Sequence, residues 1–345
     1  MLEKFFLSLL LRLPEEISHS IAIFLLKYSL IPKKKLNINI KSQIKFFNFK
    51  LSHPIGLAAG FDKNAEALPG LLKQNFSFIE VGTVTPLPQV GNNKPRVFRI
   101  RAEKSIINRL GFPNIGASKI FDNINKVREY HTLGLEPLIG VNIGCNKYTK
   151  SPIKDYEQCF ETFCSVADYI TINVSSPNTP GLRKLQLQNN LSPLLKKLST
   201  KREKYYKKSN RKIPLALKIA PDLEDSDLES IIYLIKKYKI EGIIATNTSI
   251  NKKIIQNKRY TKLQGGISGN ALYKSSNIIL KKLQKNSKGK VTIIGVGGID
   301  SGEKVFKKIK LGANAVQVYS SLVYNGIRIV DKMALDFIQL SKLNK

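Results

Sequence analysis

Cysteine is scarce: Cys145, Cys159 and Cys164 are the only three in a chain of 345 residues. Three thiols cannot build a disulfide framework, and none of their spacings is the close pair of a zinc site. A reducing compartment is therefore the expected home, and the three read as small buried apolar residues. Histidine is equally rare; His19, His53 and His131 stand far apart, and no His, Cys and carboxylate set has metal-ligand spacing, so no metal is expected. Long apolar runs are also missing, which leaves no segment of the roughly eighteen residues needed to span a bilayer. With 42% apolar residues and no repeating period, the chain is neither disordered nor collagen-like.

Acidic residues are few, 25 against 57 Lys and Arg, for a net charge of +32. The lysines are strewn along the whole chain beside Asn and Ile rather than gathered on one stretch. That pattern reads as compositional bias, so nucleic acid is not expected as a partner, and attraction to an anionic membrane surface is the better use of the charge. The N-terminus fits this. Phe5 to Leu11 is apolar, Arg12 and Pro14 interrupt it, and a second run from Ile21 to Leu26 continues through Tyr28, Leu30 and Ile31 to Lys33-Lys34-Lys35. Pro14-Glu15-Glu16 is a good helix start, with proline first and acids in the first turn. Residues 1–38 are thus expected to form a short helical segment, either an interfacial membrane anchor or a helix pair docked on the core, ahead of a catalytic domain over 39–345.

Beyond residue 50 short β-branched runs alternate with helix-like segments: Ile55–Ala59, Phe78–Thr83, Leu138–Asn142, Tyr169–Asn173, Leu215–Ile219, Gly242–Thr246, Thr292–Val296 and Ala315–Tyr319. Eight apolar strands in such alternation predict an α/β protein, a closed (β/α)8 TIM barrel, with a doubly wound sheet as the alternative. Two spacings, 84–137 and 247–291, are long and hold insertions expected over the catalytic end.

In a barrel the C-terminal strand ends face the active site. Here they are rich in Asn, Thr, Lys and Gly, with neither the paired acids of glycoside hydrolysis nor a metal cage. Amides, hydroxyls and two lysines suit a polar heterocycle with anionic substituents. Gly266, Gly269, Gly297 and Gly298, assigned to the last two units, suggest a phosphate held on backbone N–H groups. Ser176 alone, in Ser-Pro-Asn, is also ordinary turn vocabulary.

Longer motifs sharpen this. Gly56 to Lys63, Glu80 to Pro86, Asn108 to Phe112 and Asn173 to Arg183 resemble dihydroorotate dehydrogenase over nearly the whole chain, in particular the membrane-associated, quinone-reducing class with its N-terminal helices and serine base. Pro113 departs from the polar residue expected after Gly-Phe, and Ser320 stands where threonine is frequent. The resemblance implies oxidation of dihydroorotate to orotate in pyrimidine (UMP) biosynthesis, with one FMN per chain and electrons passed to ubiquinone or menaquinone. It implies Ser176 as catalytic base; because free serine is a very weak base, its hydroxyl proton is expected to move on through Thr179 or ordered water. FMN contacts would come from Ala59, Gly60, Phe61, Asp62, Lys63, Thr83, Asn142, Asn173, Lys218, Thr246, Gly269, Gly298, Tyr319 and Ser320. Substrate contacts would come from Lys63, Asn108, Arg109, Leu110, Gly111, Phe112, Asn173, Asn178, Asn247 and Thr248. His19, Arg99 and Tyr319 match a quinone path, although His19 also reads as a helix-surface residue and Arg99 as a solvated strand charge. A monomer lying peripherally on the cytoplasmic face of a bacterial inner membrane is implied. Two other readings remain: an FMN barrel reducing tRNA uridines through a loop cysteine, for which Cys145 is the candidate, and a basic binding protein without catalysis.

Overall fold

The computed structural model describes residues 2–33, 36 and 44–343. Lys34, Lys35 and the expected boundary between residues 38 and 39 lie outside the described residues. Eight parallel strands close into a barrel: β1 (Ile55–Leu57), β2 (Phe78–Val84), β3 (Leu138–Ile143), β4 (Tyr169–Asn173), β5 (Leu215–Ile219), β6 (Gly242–Ala245), β7 (Thr292–Val296) and β8 (Ala315–Val318), with β8 pairing back onto β1. Closure decides against the doubly wound alternative. Every residue of β2 to β6 is buried, because one face meets the barrel interior and the other the surrounding helices. That double burial explains why these strands read as unbroken apolar runs. β1 and β8 stop short of Ala59 and Tyr319, since the chain there leaves the ladder to form the rim.

The floor is sealed by a hairpin over Ile44–Phe46 and Phe49–Leu51. Phe46 stacks on Phe78 with ring centroids 4.6 Å apart, and Phe47 and Tyr169 pack beside them. With Leu138, Ala216, Ile244, Ile294 and Ala315 they form an apolar plug at the strand starts, so the polar strand ends open only at the other mouth.

Over that mouth the two insertions meet. Val97–Ile100, Ser105–Asn108 and Gly266–Gly269 pair antiparallel into a three-stranded sheet, with Gly269 opposite Ser105 and Gly266 opposite Asn108. Gly266 and Gly269 therefore belong to this added sheet in the β6 excursion, not to a barrel strand as the sequence suggested. Long-range pairing of four-residue strands leaves little trace in local pattern.

Two helices precede the barrel, α1 (Leu2–Arg12) and α2 (Glu15–Lys27). Pro14 is the N-cap of α2 and Glu15 and Glu16 fill its first turn, as the sequence indicates. α2 docks through Leu26, which is 1% exposed and whose burial is worth about 2 kcal/mol. The approach requires a glycine: a Cβ on Gly70 would lie 2.1 Å from the Leu26 carbonyl oxygen. Arginines complete the clamp. Arg99 donates to the carbonyls of Leu11 (2.9 Å) and Leu13 and to Ser18 Oγ (3.0 Å), while Arg96 pairs with Glu16 at 3.0 Å. The carbonyls freed at the end of α1 are thus satisfied by a buried guanidinium, and the reading of Arg99 as a solvated charge is overturned. The outer face of the hairpin leaves Phe5, Phe6, Leu9, Leu13, Ile17 and Phe24 exposed. Among the described residues no helix is long and apolar enough to cross a membrane.

Candidate active site

The strand ends of β2, β3 and β4 bring three predicted residues into one buried network. Thr83 Oγ1 donates to Asn142 Oδ1 at 2.6 Å, and Asn173 Nδ2 reaches both Thr83 Oγ1 (2.9 Å) and Asn142 Oδ1 (3.1 Å). Beneath them lies a carboxylate the motif reading did not assign. Glu80 accepts from Asn142 Nδ2 (2.7 Å), Gln317 Nε2 (2.7 Å), Thr171 Oγ1 (3.1 Å) and Tyr169 OH (3.2 Å). A fully buried carboxylate tolerates this place because four donors share its charge.

Lys218 on β5 sits opposite Asn173 in the ladder and is 5% exposed. Burial lowers its ammonium pKa, opposed only by the Glu80 charge, and among the described residues it has neither ion pair nor hydrogen bond. Lys63, after β1, is likewise unpaired; burial, with Arg96 adding to it, pushes it down to about 8. Two cations at one polar rim, with carboxylates near but none in ion-pair contact among the described residues, are suited to an anionic ring edge and an anionic substrate.

The loop after β1 is folded over the rim by Gly60 N–H to Gly82 O (2.7 Å) and Gly82 N–H to Asp62 O (3.0 Å). Asp62 spends its carboxylate on the N–H groups of Glu66 (3.0 Å) and Ala67 (2.8 Å). Burial raises it to about 6, so its side chain shapes this loop. Phe61 stands edge-on to His19 of α2 (5.3 Å) and to Tyr319 (5.9 Å). Burial and the nearby Lys63 hold His19 at about 3, and burial raises Tyr319 to about 12. The helix pair α1 and α2 thus abuts the rim through an aromatic trio.

At the far side, Gly269 ends the added sheet, Gly298 follows β7, and Tyr319 and Ser320 follow β8. Gly298 has φ +71° and lies so close to the helix Tyr273–Ser287 that a Cβ would meet the Tyr273 backbone nitrogen at 2.9 Å. Ser320 Oγ is 3.0 Å from Ser268 Oγ; Ser268, on the added sheet, is a further hydroxyl that strand-by-strand reading had no means to place here.

Ser176 is 6% exposed, and its Oγ accepts the Asn178 N–H at 3.3 Å. Thr179 Oγ1, three residues on, is buried without a hydrogen-bond partner. Asn247 Nδ2 reaches Ser175 Oγ (3.0 Å) and Asn173 Oδ1 (3.3 Å), and Thr248 Oγ1 is buried and unpartnered. Arg183 ties this loop down, donating to Ser175 O (3.1 Å), Thr248 O (2.8 Å) and Asp222 Oδ2 (2.8 Å). The loop of Asn108 to Phe112 comes in opposite, with Asn178 Nδ2 on Asn108 Oδ1 (3.1 Å). Asn92 donates to the backbone carbonyls of Arg109 and Leu110, and Gln89 Nε2 to those of Gly111 and Phe112, holding the loop from behind. Arg109 itself turns its guanidinium to the Pro95 carbonyl (2.8 Å) and the Phe98 ring, leaving only its backbone for the site. Thr246 is 1% exposed and donates to the Asn247 carbonyl at 2.9 Å.

Cys145 is buried and held far towards the thiol form, up to about 12, by burial, which makes it a poor catalytic cysteine. No group of metal-ligating side chains is present among the described residues.

Comparison with known proteins places the chain in a family. A family model described as dihydroorotate dehydrogenase matches residues 41–340. Dihydroorotate dehydrogenase (quinone) of Bartonella tribocorum is 40% identical over 338 residues, covering 96% of this chain and 91% of that protein. The protein of the same name from Buchnera aphidicola is 46% identical over 286 residues, covering 82% and 83%. The crystal structure of the ligand-free enzyme from Eimeria tenella superposes with a TM-score of 0.90 at 33% identity, covering 96% of each chain. Matched by family model, by sequence and by fold along nearly its full length, this chain belongs to the dihydroorotate dehydrogenase family.

Proposed function

We propose that the chain oxidises dihydroorotate to orotate with FMN and passes the electrons to a quinone. The observation that carries this is the pair of unpaired, desolvated lysines on one rim, Lys218 and Lys63, joined by buried hydroxyls at Thr179 and Thr248 that lack partners. Such groups are costly unless a ligand completes them. FMN fits the donor set: Lys218 would complement the anionic edge of its ring, Thr83, Asn142, Asn173 and Thr246 would hold the ring, and the backbone of Gly269, Gly298, Tyr319 and Ser320 would hold its phosphate. Bound there, it would supply the acceptor for the hydride that the substrate ring carbon gives up.

This chain's residues do the remaining work. Lys63 offers charge to the substrate carboxylate; Asn108, Asn173, Asn178 and Asn247 offer amides that match ring carbonyl and N–H groups. Ser176 takes the proton from the neighbouring ring carbon as its own hydroxyl proton moves on; Thr179 Oγ1 makes no direct hydrogen bond to it, so a relay to that hydroxyl runs through a bridging water. Arg183, with Asp222, fixes the Ser176 loop against β6. Residues 2–27 lie on the rim beside Phe61 and Tyr319, the position from which His19 and Arg99 would border a quinone entry. Their exposed phenylalanines and leucines, next to Arg12 and Lys27, suit a helix pair lying in a membrane interface. A peripheral location on the cytoplasmic side of a bacterial inner membrane, with the chain acting as a monomer, completes the reading.

The test is spectroscopic: the purified protein should carry flavin absorption that dihydroorotate bleaches anaerobically and quinone restores. A flavin that tRNA and a nicotinamide cofactor, but not dihydroorotate, turn over would instead support the uridine-reducing alternative.

A further inference from the structure

Lys308 is a charge the proposed reaction does not use. It lies in the helix Gly302–Lys310, is 0% exposed, and has no carboxylate within ion-pair distance among the described residues. Its Nζ donates to Ser276 Oγ at 2.7 Å and stands 5.7 Å from the centre of the Tyr273 ring. Ser276, also 0% exposed, places its hydroxyl 3.3 Å from the Gly297 carbonyl, with the Tyr273 carbonyl as its other acceptor at 3.0 Å. The Gly297 carbonyl and the Gly298 N–H are the two ends of one peptide group. That N–H has no partner among the described residues, and it belongs to the glycine corner that the site geometry offers to a phosphate.

Ser276 has one hydroxyl proton for these two carbonyls; when it turns to Gly297, ammonium, hydroxyl and peptide form a chain that ends on an unused donor. Each link polarises the next, so a cation at one end makes the N–H at the other a stronger anion donor. The cation also acts directly through a dry interior, where screening is weak. A lysine buried without a counter-charge is otherwise a liability, and burial already pushes this one down to about 7.

We propose that Lys308 is a positioning residue for the flavin phosphate, setting the chain's preference for the phosphorylated flavin through Ser276 and the Gly297–Gly298 peptide. This rests on the flavin reading above. The competing explanation is packing alone, because the Lys308 stem fills the space beside Gly295, where a Cβ would meet its Cδ at 3.2 Å. Methionine fills the same space without charge.

The experiment titrates the flavin-free protein with FMN and, separately, with riboflavin, which lacks the phosphate. In Lys308→Met the Kd for FMN should rise by about tenfold or more, while that for riboflavin stays within about twofold of the parent. Ser276→Ala, which keeps the ammonium and breaks the chain, should weaken FMN less and leave riboflavin unchanged. If both flavins weaken equally in Lys308→Met, the role is packing and the proposal fails. If FMN binds either variant as tightly as the parent, it also fails. Should Lys308→Met not fold, Ser276→Ala decides by its FMN-to-riboflavin ratio. A parent protein that binds neither flavin would refute the flavin reading itself, a result distinct from any change between variants.

Discussion

Removing Arg99 should release the N-terminal helices without unfolding the barrel. Its guanidinium side chain is 4% exposed and carries three well-formed hydrogen bonds, to Leu11 O, Leu13 O and Ser18 Oγ. A weak contact of 3.7 Å to the partly exposed Glu15 adds little. Hydrogen bonds from a charged donor contribute about 1.5 to 3 kcal/mol each when measured singly. They share one side chain, and water can reach the freed carbonyls, so about 3 kcal/mol in total is the reasonable figure. That corresponds to about a hundredfold increase in the open population of the hairpin. In Arg99→Ala, hydrogen exchange at amides of residues 15–27 should accelerate by about two orders of magnitude, with β4 and β5 amides unchanged. Turnover with a membrane quinone should fall far more than turnover with a small soluble dye. Unchanged exchange in α2 would refute the reasoning about the clamp. Accelerated exchange with an unaltered quinone-to-dye ratio would refute the assignment of the hairpin to quinone access.

Ser176→Ala should retain its flavin spectrum yet slow anaerobic flavin reduction by about 10²- to 10⁴-fold, the usual worth of a general base, in single-turnover mixing; near-parent rates would end the assignment. Lys63 loses its proton as pH rises through about 8, and with it the attraction for an anionic substrate. KM for dihydroorotate should therefore climb by up to about tenfold per pH unit above that value, and Lys63→Met should show a high KM with no such slope. His53, 2% exposed, is held at about 4 by burial, below its unfolded value of 6.5. The unfolded chain takes up a proton the native one refuses, so stability present above pH 6.5 is lost as pH falls toward 4, by up to about 1.4 kcal/mol per unit from this group. Thermal melts of His53→Gln should be flatter over that range; an identical slope would remove His53 as the cause.

The barrel was legible because its strands are buried on both faces, which forces continuous runs such as Leu138 to Ile143 and Tyr169 to Asn173. The residues at their ends were legible because a closed parallel barrel can present chemistry at only one mouth. What escaped was whatever depends on distant chain meeting. Ser268 comes beside Ser320 only through the sheet that joins the two insertions. Glu80 looked like part of a motif, and its four donors come from β3, β4 and β8. Arg99 looked like surface charge because nothing local in Val97–Ile100 announces the helix end it caps. Asp62 and Arg109, expected at the ligands, turn their charged groups to the Glu66 and Ala67 N–H groups and to the Pro95 carbonyl, which leaves their backbone for the site.

The sheet over the mouth bears on how this enzyme can be altered. Ser105–Asn108 and Gly266–Gly269 share backbone bonds across nearly half the chain, so the stretch proposed for substrate and the stretch proposed for phosphate are tied into one plate. Removing either excursion would leave an unpaired strand edge above the mouth, so the roof depends on both.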